Sequence, residues 1–168
     1  MRIGVVSDTH GFLDARIMEI IGRCDLAVHA GDIGNAGVLE QLRPRREQIL
    51  AVRGNNDTPQ KWPRTDAAVL DGLPDEVAVD LPGGCLVVVH GHRDGPPRRR
   101  HAKLRTRYPD ARVIVYGHSH RLVCDQDQRP WVLNPGAAGR SRTFGGPSCL
   151  VLHVRATRWR VEGVRIRL

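Results

Sequence analysis

Five short segments hold the side chains of this sequence best suited to chemistry. They are Ser7-Asp8-Thr9-His10-Gly11, His29-Ala30-Gly31-Asp32, Arg53-Gly54-Asn55-Asn56-Asp57, His90-Gly91-His92 and Gly117-His118-Ser119-His120. Carboxylate, imidazole and amide oxygen are hard-to-borderline ligands, suited to Mn, Fe, Zn, Ni or Co. Residues separated by one, as in Asp8-x-His10 and His118-x-His120, point to the same side of an extended segment, so each pair can serve one site or two adjacent ones. A carboxylate has two oxygens, and Asp32 is the natural bridge between two cations. Two ions held roughly 3.5–4 Å apart activate water and neutralise the charge that develops in an in-line displacement at phosphorus. Taken singly, each segment has a plainer explanation. An Asp after a strand is usually a turn or cap, Asn55-Asn56 alone reads as a turn, and a buried His often satisfies a backbone group. It is the five together, in order, that point to a metal centre.

The elements that must position these groups are legible too. Each segment follows a short apolar run: Ile3–Val6, Leu26–Val28, Ile49–Val52, Leu86–Val89 and Val113–Tyr116. Runs of this kind, rich in Val and Ile and bounded by Gly and Asp, fit buried strands. Helical spacing appears between the first three, over Asp14–Gly22 and Ala36–Leu42, with Asp14 as a suitable N-cap. Alternation of strand and helix argues for βαβ units and a mostly parallel arrangement. The second half reads as strands at Val77–Leu81, Trp131–Leu133, Leu150–Val154 and Trp159–Arg167, with helical pattern only over Pro97–Arg107. The expected fold is therefore an α/β sandwich, in which two sheets flanked by helices form one domain over residues 1–168. In open α/β sheets ligands bind beyond the carboxyl ends of the strands, where all five segments lie.

The order D-x-H, G-D, G-N-x-D, H-G-H, G-H-x-H resembles the calcineurin-like metallophosphoesterase superfamily. The compact size and Asn134-Pro135-Gly136 resemble its small single-domain prokaryotic phosphodiesterases. The likeness runs from about Ile3 to Gly136. It implies an αββα sandwich, two mixed sheets packed face to face with helices outside. It also implies a dinuclear centre: Asp8, His10 and His120 on one metal, Asn55, His90 and His118 on the other, and Asp32 bridging. A hydroxide between the metals, manganese being the first choice, would attack phosphorus. One departure is chemical. Many members carry a His where this sequence has Asn56, and an amide donates a hydrogen bond but cannot act as a general acid near neutrality. That inclines the reading towards phosphodiesters over monoesters. Asn56, His92 and Arg142 are the candidates for contact with substrate. Asp57 is expected to support the ligands, His29 to be a core histidine or to support them, His101 and His153 to be structural or solvent-facing, and Asn134-Pro135-Gly136 to form a loop near the centre, with Ala137 where Ser is common.

Composition sets the outer bounds. The sequence has 168 residues, with 26 Lys+Arg against 18 Asp+Glu and a net charge of +8. Of the basic residues 24 are Arg, leaving Lys61 and Lys103 as the Lys. Disordered, collagen-like and disulfide-scaffold classes are disfavoured by this balance. Cys24, Cys85, Cys124 and Cys149 form no CxxC pair, so a thiolate metal site or redox motif is not expected; Cys85 and Cys149 read as small buried hydrophobes. Neither a signal peptide nor a run of roughly 18 apolar residues is visible, which points to a cytoplasmic protein with no membrane partner. The expected partner is a small phosphodiester substrate, and a homo-oligomer is compatible with the sequence. The basic surplus also admits nucleic acid, although aromatics at 4% offer little for base stacking. The competing functional reading is a metal-bearing scaffold or nucleic-acid-binding module of the same fold with weakened catalysis.

Overall fold

The computed structural model describes residues 1–167, and in it the apolar runs become the strands of two sheets. The chain order is β1 (Arg2–Val6), α1 (Ala15–Gly22), β2 (Leu26–His29), α2 (Ala36–Gln41), β3 (Gln48–Ala51), a 3-10 turn (Arg64–Asp66) and α3 (Ala67–Asp71). It continues with β4 (Glu76–Leu81), β5 (Gly84–Val89), α4 (Pro97–Arg107), β6 (Ala111–Val115), β7 (Leu122–Asp125), β8 (Trp131–Pro135), β9 (Ser148–Val154) and β10 (Trp159–Arg165). One sheet has the order β10-β9-β1-β2-β3 and the other β4-β5-β6-β8-β7. β1, β2 and β3 are parallel, as the βαβ pattern predicts, with Val5 opposite Val28 and Val28 opposite Leu50. β9 and β10 extend this sheet antiparallel, and β4 and β7 close the two edges of the other antiparallel, so both sheets are mixed.

Alternation within the strands builds the layers. Ile3, Val5, Val28, Leu150 and Leu152 face inward from the first sheet and meet Leu86, Val88, Val113, Val115 and Leu133 from the second, all buried. The outward face of the first sheet takes Ile17 and Ile21 of α1 against Val6, Ala27 and Cys149. Asp14 starts that helix by accepting from the Arg16 amide at 3.0 Å. The outward face of the second sheet packs Leu104 of α4 against Ile114 and Val132. This is the two-sheet sandwich with flanking helices that the sequence implies.

Some local expectations need correction. β7 was not anticipated, because Leu122–Asp125 is a short edge strand with only partial burial and no clean alternation. The short α3 and the turn before it carry too little periodicity to stand out. Asn134 and Pro135 are not loop residues: they end β8 and pair with Val123 and Leu122 of β7. Strand β10 stops at Arg165, two residues short of the predicted end. Cys149 is buried as expected, whereas Cys85 is half-buried.

Candidate metal centre

The parallel strands end at one edge of the sandwich, and the five polar segments leave from those ends. Asp8 and His10 follow β1, Asp32 follows β2, Asn55 follows β3, His90 follows β5, and His118 and His120 follow β6. The backbone there is strained. Asp8, His10, Asp32, His118 and His120 all have positive φ, between 48° and 66°. That region costs an L-residue roughly 1–2 kcal/mol, and such residues cluster where a site dictates side-chain direction. Close packing explains the glycines beside them. A Cβ on Gly54 would lie 2.2 Å from the Asp32 amide nitrogen, and one on Gly117 would lie 2.0 Å from Ser7 Oγ.

The seven side chains converge in two overlapping halves. In the first, His120 Nε2 lies 3.3 Å from both His10 Nε2 and Asp8 Oδ1. In the second, His90 Nε2 lies 3.1 Å from Asn55 Oδ1 and 3.4 Å from Asp32 Oδ2, and His118 Nδ1 is also 3.1 Å from Asn55 Oδ1. Asp32 Oδ2 faces both halves, since it is 3.9 Å from His10 Nε2. Two groups have metal-binding spacing, Asp8–His10–His120 and Asp8–Asp32–His90. Asp8 belongs to both, so it stands beside Asp32 as a residue common to the two halves.

Tautomers decide whether these atoms suit a cation. His120 Nδ1 donates to the Ser141 carbonyl at 3.2 Å, and His90 Nδ1 donates to the Ala30 carbonyl at 2.8 Å. Each therefore turns Nε2 towards the centre, where the neutral ring would offer its lone pair to a metal. Where the ring nitrogens face inward unprotonated, a cation among them would satisfy imidazole, carboxylate and amide oxygen together. The donor set fits one or more divalent ions, with no thiolate to favour a softer metal.

Charge states follow from burial. Desolvation pushes the Asp8 carboxyl up to about 7, against the pull of His90 and a hydrogen bond from Ser7 Oγ. Burial acts in the same direction on Asp32, but hydrogen bonds from His90 and Asn56 outweigh it and hold the group below the usual carboxylate range. Burial lowers His118 and His120 to about 4, helped by His90 and Arg142 respectively, so both are neutral at pH 7. His90 moves upward, because Asp32 and Asp8 together overcome its desolvation.

Around the ligands, Asp57 accepts from the amides of Ile33, Gly34 and Gly54 and from Trp62 Nε1, tying the loop after β2 to the loop after β3. His29 is fully buried and saturated: its ring joins Thr9 Oγ1 at 2.9 Å and accepts from the Gly31 amide at 3.2 Å. His101 bridges Asp125 and Tyr116, and His153 lies beside Glu162. Of the three candidates for substrate contact, Asn56 turns its Nδ2 to Asp32 Oδ2 at 2.7 Å while its backbone amide holds Oδ1 at 2.8 Å. Arg142 reaches His120 Nε2 at 3.0 Å, and the His92 ring lies 5.4 Å from that of His90. Three further contributors have contacts that the sequence does not specify. Ser7 fixes Asp8, Asn134 Nδ2 pins the Gly117 carbonyl at 2.7 Å and Ser119 Oγ at 3.0 Å, and Lys61 Nζ contacts Asn56 Oδ1. Only Lys61 left a trace in composition, as one of two Lys among so many Arg.

Residues 1–157 match the model of the calcineurin-like phosphoesterase superfamily domain. The chain belongs to this superfamily. Within the calcineurin-like phosphoesterases, phosphodiesterase MJ0936 of Methanocaldococcus jannaschii is 26% identical over 144 residues, covering 81% of this chain and 83% of that protein. Phosphodiesterase YfcE of Escherichia coli K12 is 29% identical over 157 residues, covering 82% and 79% respectively. Among solved structures, zinc-complexed Vps29 from Entamoeba histolytica superposes with a TM-score of 0.73 at 19% identity, covering 99% of both chains. An archaeal phosphodiesterase superposes with a TM-score of 0.70 at 23% identity, covering 98% of this chain and 100% of its own. These likenesses fix the fold, which is shared by proteins named phosphodiesterase and by Vps29 proteins. No helix among the described residues is long and apolar enough to cross a membrane.

Proposed function

We propose that this chain is a metal-dependent phosphodiesterase that hydrolyses a small or nucleotide-like phosphodiester in the cytoplasm. The observation that carries the reading is the convergence of seven nitrogen and oxygen donors from five strand ends on one centre. Asp8, His10 and His120 would hold one divalent ion and Asn55, His90 and His118 a second, with Asp32 facing both. Manganese is the first candidate; the ligand types also suit Fe, Zn, Ni or Co. When bound, such ions neutralise phosphoryl charge and make water a nucleophile near neutral pH.

The chain's own groups have distinct tasks. The backbone carbonyls of Ala30 and Ser141 keep the His90 and His120 rings in the tautomer and orientation that expose Nε2. Asn56 holds both oxygens of Asp32 and so fixes the carboxylate shared by the two halves. Arg142 is placed to take a phosphoryl oxygen with its guanidinium fork, and His92 borders the other side of the centre. The phosphodiesterase relatives at modest identity support the reaction class.

The test is a manganese-loaded preparation assayed on bis(4-nitrophenyl) phosphate and 4-nitrophenyl phosphate. The diester is expected to turn over faster, and Asp8→Ala is expected to remove the activity. Full activity in metal-stripped protein would sink the reading. A metal-bearing scaffold is the second reading, favoured by one observation: the Asn56 amide is spent on Asp32 and cannot donate a proton. It predicts metal binding without turnover of either substrate.

A further inference from the structure

Hydrolysis of an unactivated diester needs a proton at the leaving oxygen, and neither Asn56 nor Arg142 supplies one. Asn56 is an amide, and its Nδ2 is already committed to Asp32. Arg142 is a guanidinium, which keeps its proton at any pH the fold tolerates. The site's rim holds one more cation. Lys61 lies five residues beyond Asn56, at the end of a turn in which its amide and that of Trp62 both donate to the Thr58 carbonyl at 3.0 Å. Trp62 is buried, 5% exposed, and its indole nitrogen is tied to Asp57, which also holds the amides of Ile33, Gly34 and Gly54. The base of Lys61 is therefore fixed to the loops that carry Asp32 and Asn55, while its side chain is exposed and its Nζ meets Asn56 Oδ1.

The residue type is informative. This chain uses Arg 24 times and Lys twice. A cation wanted only for charge would follow that habit. An ammonium differs from a guanidinium in being able to give up a proton, on a flexible four-carbon arm.

We propose that Lys61 is the general acid of the reaction, delivering the leaving-group proton that Asn56 cannot. The proposal rests on the phosphodiesterase reading above. In the step, a water oxygen forms the new P–O bond and its surplus proton passes to solvent. The P–O bond to the alcohol breaks with its electron pair on the departing oxygen. Lys61 Nζ swings from Asn56 Oδ1, gives that oxygen a proton, and the alcohol leaves. The amine is then reprotonated by solvent. A phenoxide as stable as 4-nitrophenolate needs no such help, whereas an alkoxide of a sugar or nucleoside does. Lys61 thereby fits the site to diesters of alcohols.

The experiment compares wild type, Lys61→Met, Lys61→Arg and His92→Gln, each loaded with manganese, on bis(4-nitrophenyl) phosphate and on a series of methyl phosphodiesters whose second ester group is a leaving group of rising pKa, from substituted phenols to an alkyl alcohol. Metal content and the thermal shift on manganese addition are read alongside. Lys61→Met is expected to keep the metal content, the thermal shift and most of the bis(4-nitrophenyl) phosphate activity. It should lose about 10²-fold on the alkyl ester, the scale of general-acid catalysis. Lys61→Arg should share that loss, since its charge remains but its proton does not transfer. An unchanged leaving-group dependence in Lys61→Met, full rescue by Arg, or the same steepening in His92→Gln would each overturn the role of Lys61 while leaving the diesterase reading intact. Failure of the wild type on every ester would instead overturn both.

Discussion

Asp8 is where stability and function pull hardest against each other. Its carboxyl is fully buried and stands near the negative Asp32, so its pKa rises from an ordinary 3.8 to about 7. A raised native pKa means that the folded, metal-free protein binds the Asp8 proton more tightly than the unfolded chain does. That stabilisation is complete below pH 3.8 and is lost as pH rises through 7, a swing on the order of 4 kcal/mol at about 1.4 kcal/mol per unit. Asp8→Asn keeps the shape without the charge. In EDTA at pH 8 it is expected to melt above wild type, and in manganese to show no thermal shift. A metal-free melt of Asp8→Asn below wild type at that pH would contradict this account. The proton also competes with metal. Manganese affinity of the wild type is expected to fall as pH drops below 7, by up to about tenfold per unit from this one group, as titration calorimetry can follow.

At the scale of elements, the centre depends on loops that strands aim and hydrogen bonds lock. β8 is the best example, because its last residues act at a distance from their own strand. Asn134 Nδ2 holds the Gly117 carbonyl and Ser119 Oγ, so the β8 end fixes the loop that presents His118 and His120. Asn134→Ala removes one partner from each of these groups and the acceptor of the Gly136 amide, and is expected to cost about 1–3 kcal/mol in chemical denaturation. It should also weaken metal binding about 10–100-fold, the usual effect of removing a group that orients ligands. Loss of stability without loss of metal affinity would mean that the β8 contact is structural alone. The ligand-bearing loops were legible in sequence because each joins a strongly apolar strand to a Gly-Asp, Gly-Asn or Gly-His step. β7 was not, because an edge strand needs only one hydrogen-bonded partner and half a buried face, and Leu122–Asp125 offers nothing more. Asn134-Pro135 looked like a turn because Asn and Pro favour turns; pairing with β7 overrides that local preference.

Over the whole molecule, one apolar layer shared by both sheets holds the five strand ends in a common edge, so the centre is assembled only when the sandwich is. On the proposed function, its net charge of +8 would act on approach, by drawing an anionic diester towards the positive rim that includes Lys61 and Arg142. The diesterase kcat/KM is expected to fall severalfold between low salt and about 0.5 M salt, with kcat changing little, because screening weakens long-range attraction more than contacts inside the site. A kcat/KM independent of salt would leave the surplus of Arg without a catalytic part.

The order of polar steps after apolar strands was enough to mark the five segments and the sandwich, because ligand chemistry and strand periodicity are both written in local sequence, while the family resemblance singled out seven side chains within them. Which atoms face the centre was not. The tautomers of His90 and His120 are set by carbonyls of Ala30 and Ser141, the upward shift of Asp8 by its burial, and the hold of Asn56 on Asp32 by loops from different strands. Lys61 stands out in the sequence only as one of two Lys, and the fold brings it to the side-chain amide of Asn56. Residue type and spacing supply the groups; burial, hydrogen-bond partners and proximity between distant segments decide their charge, direction and task.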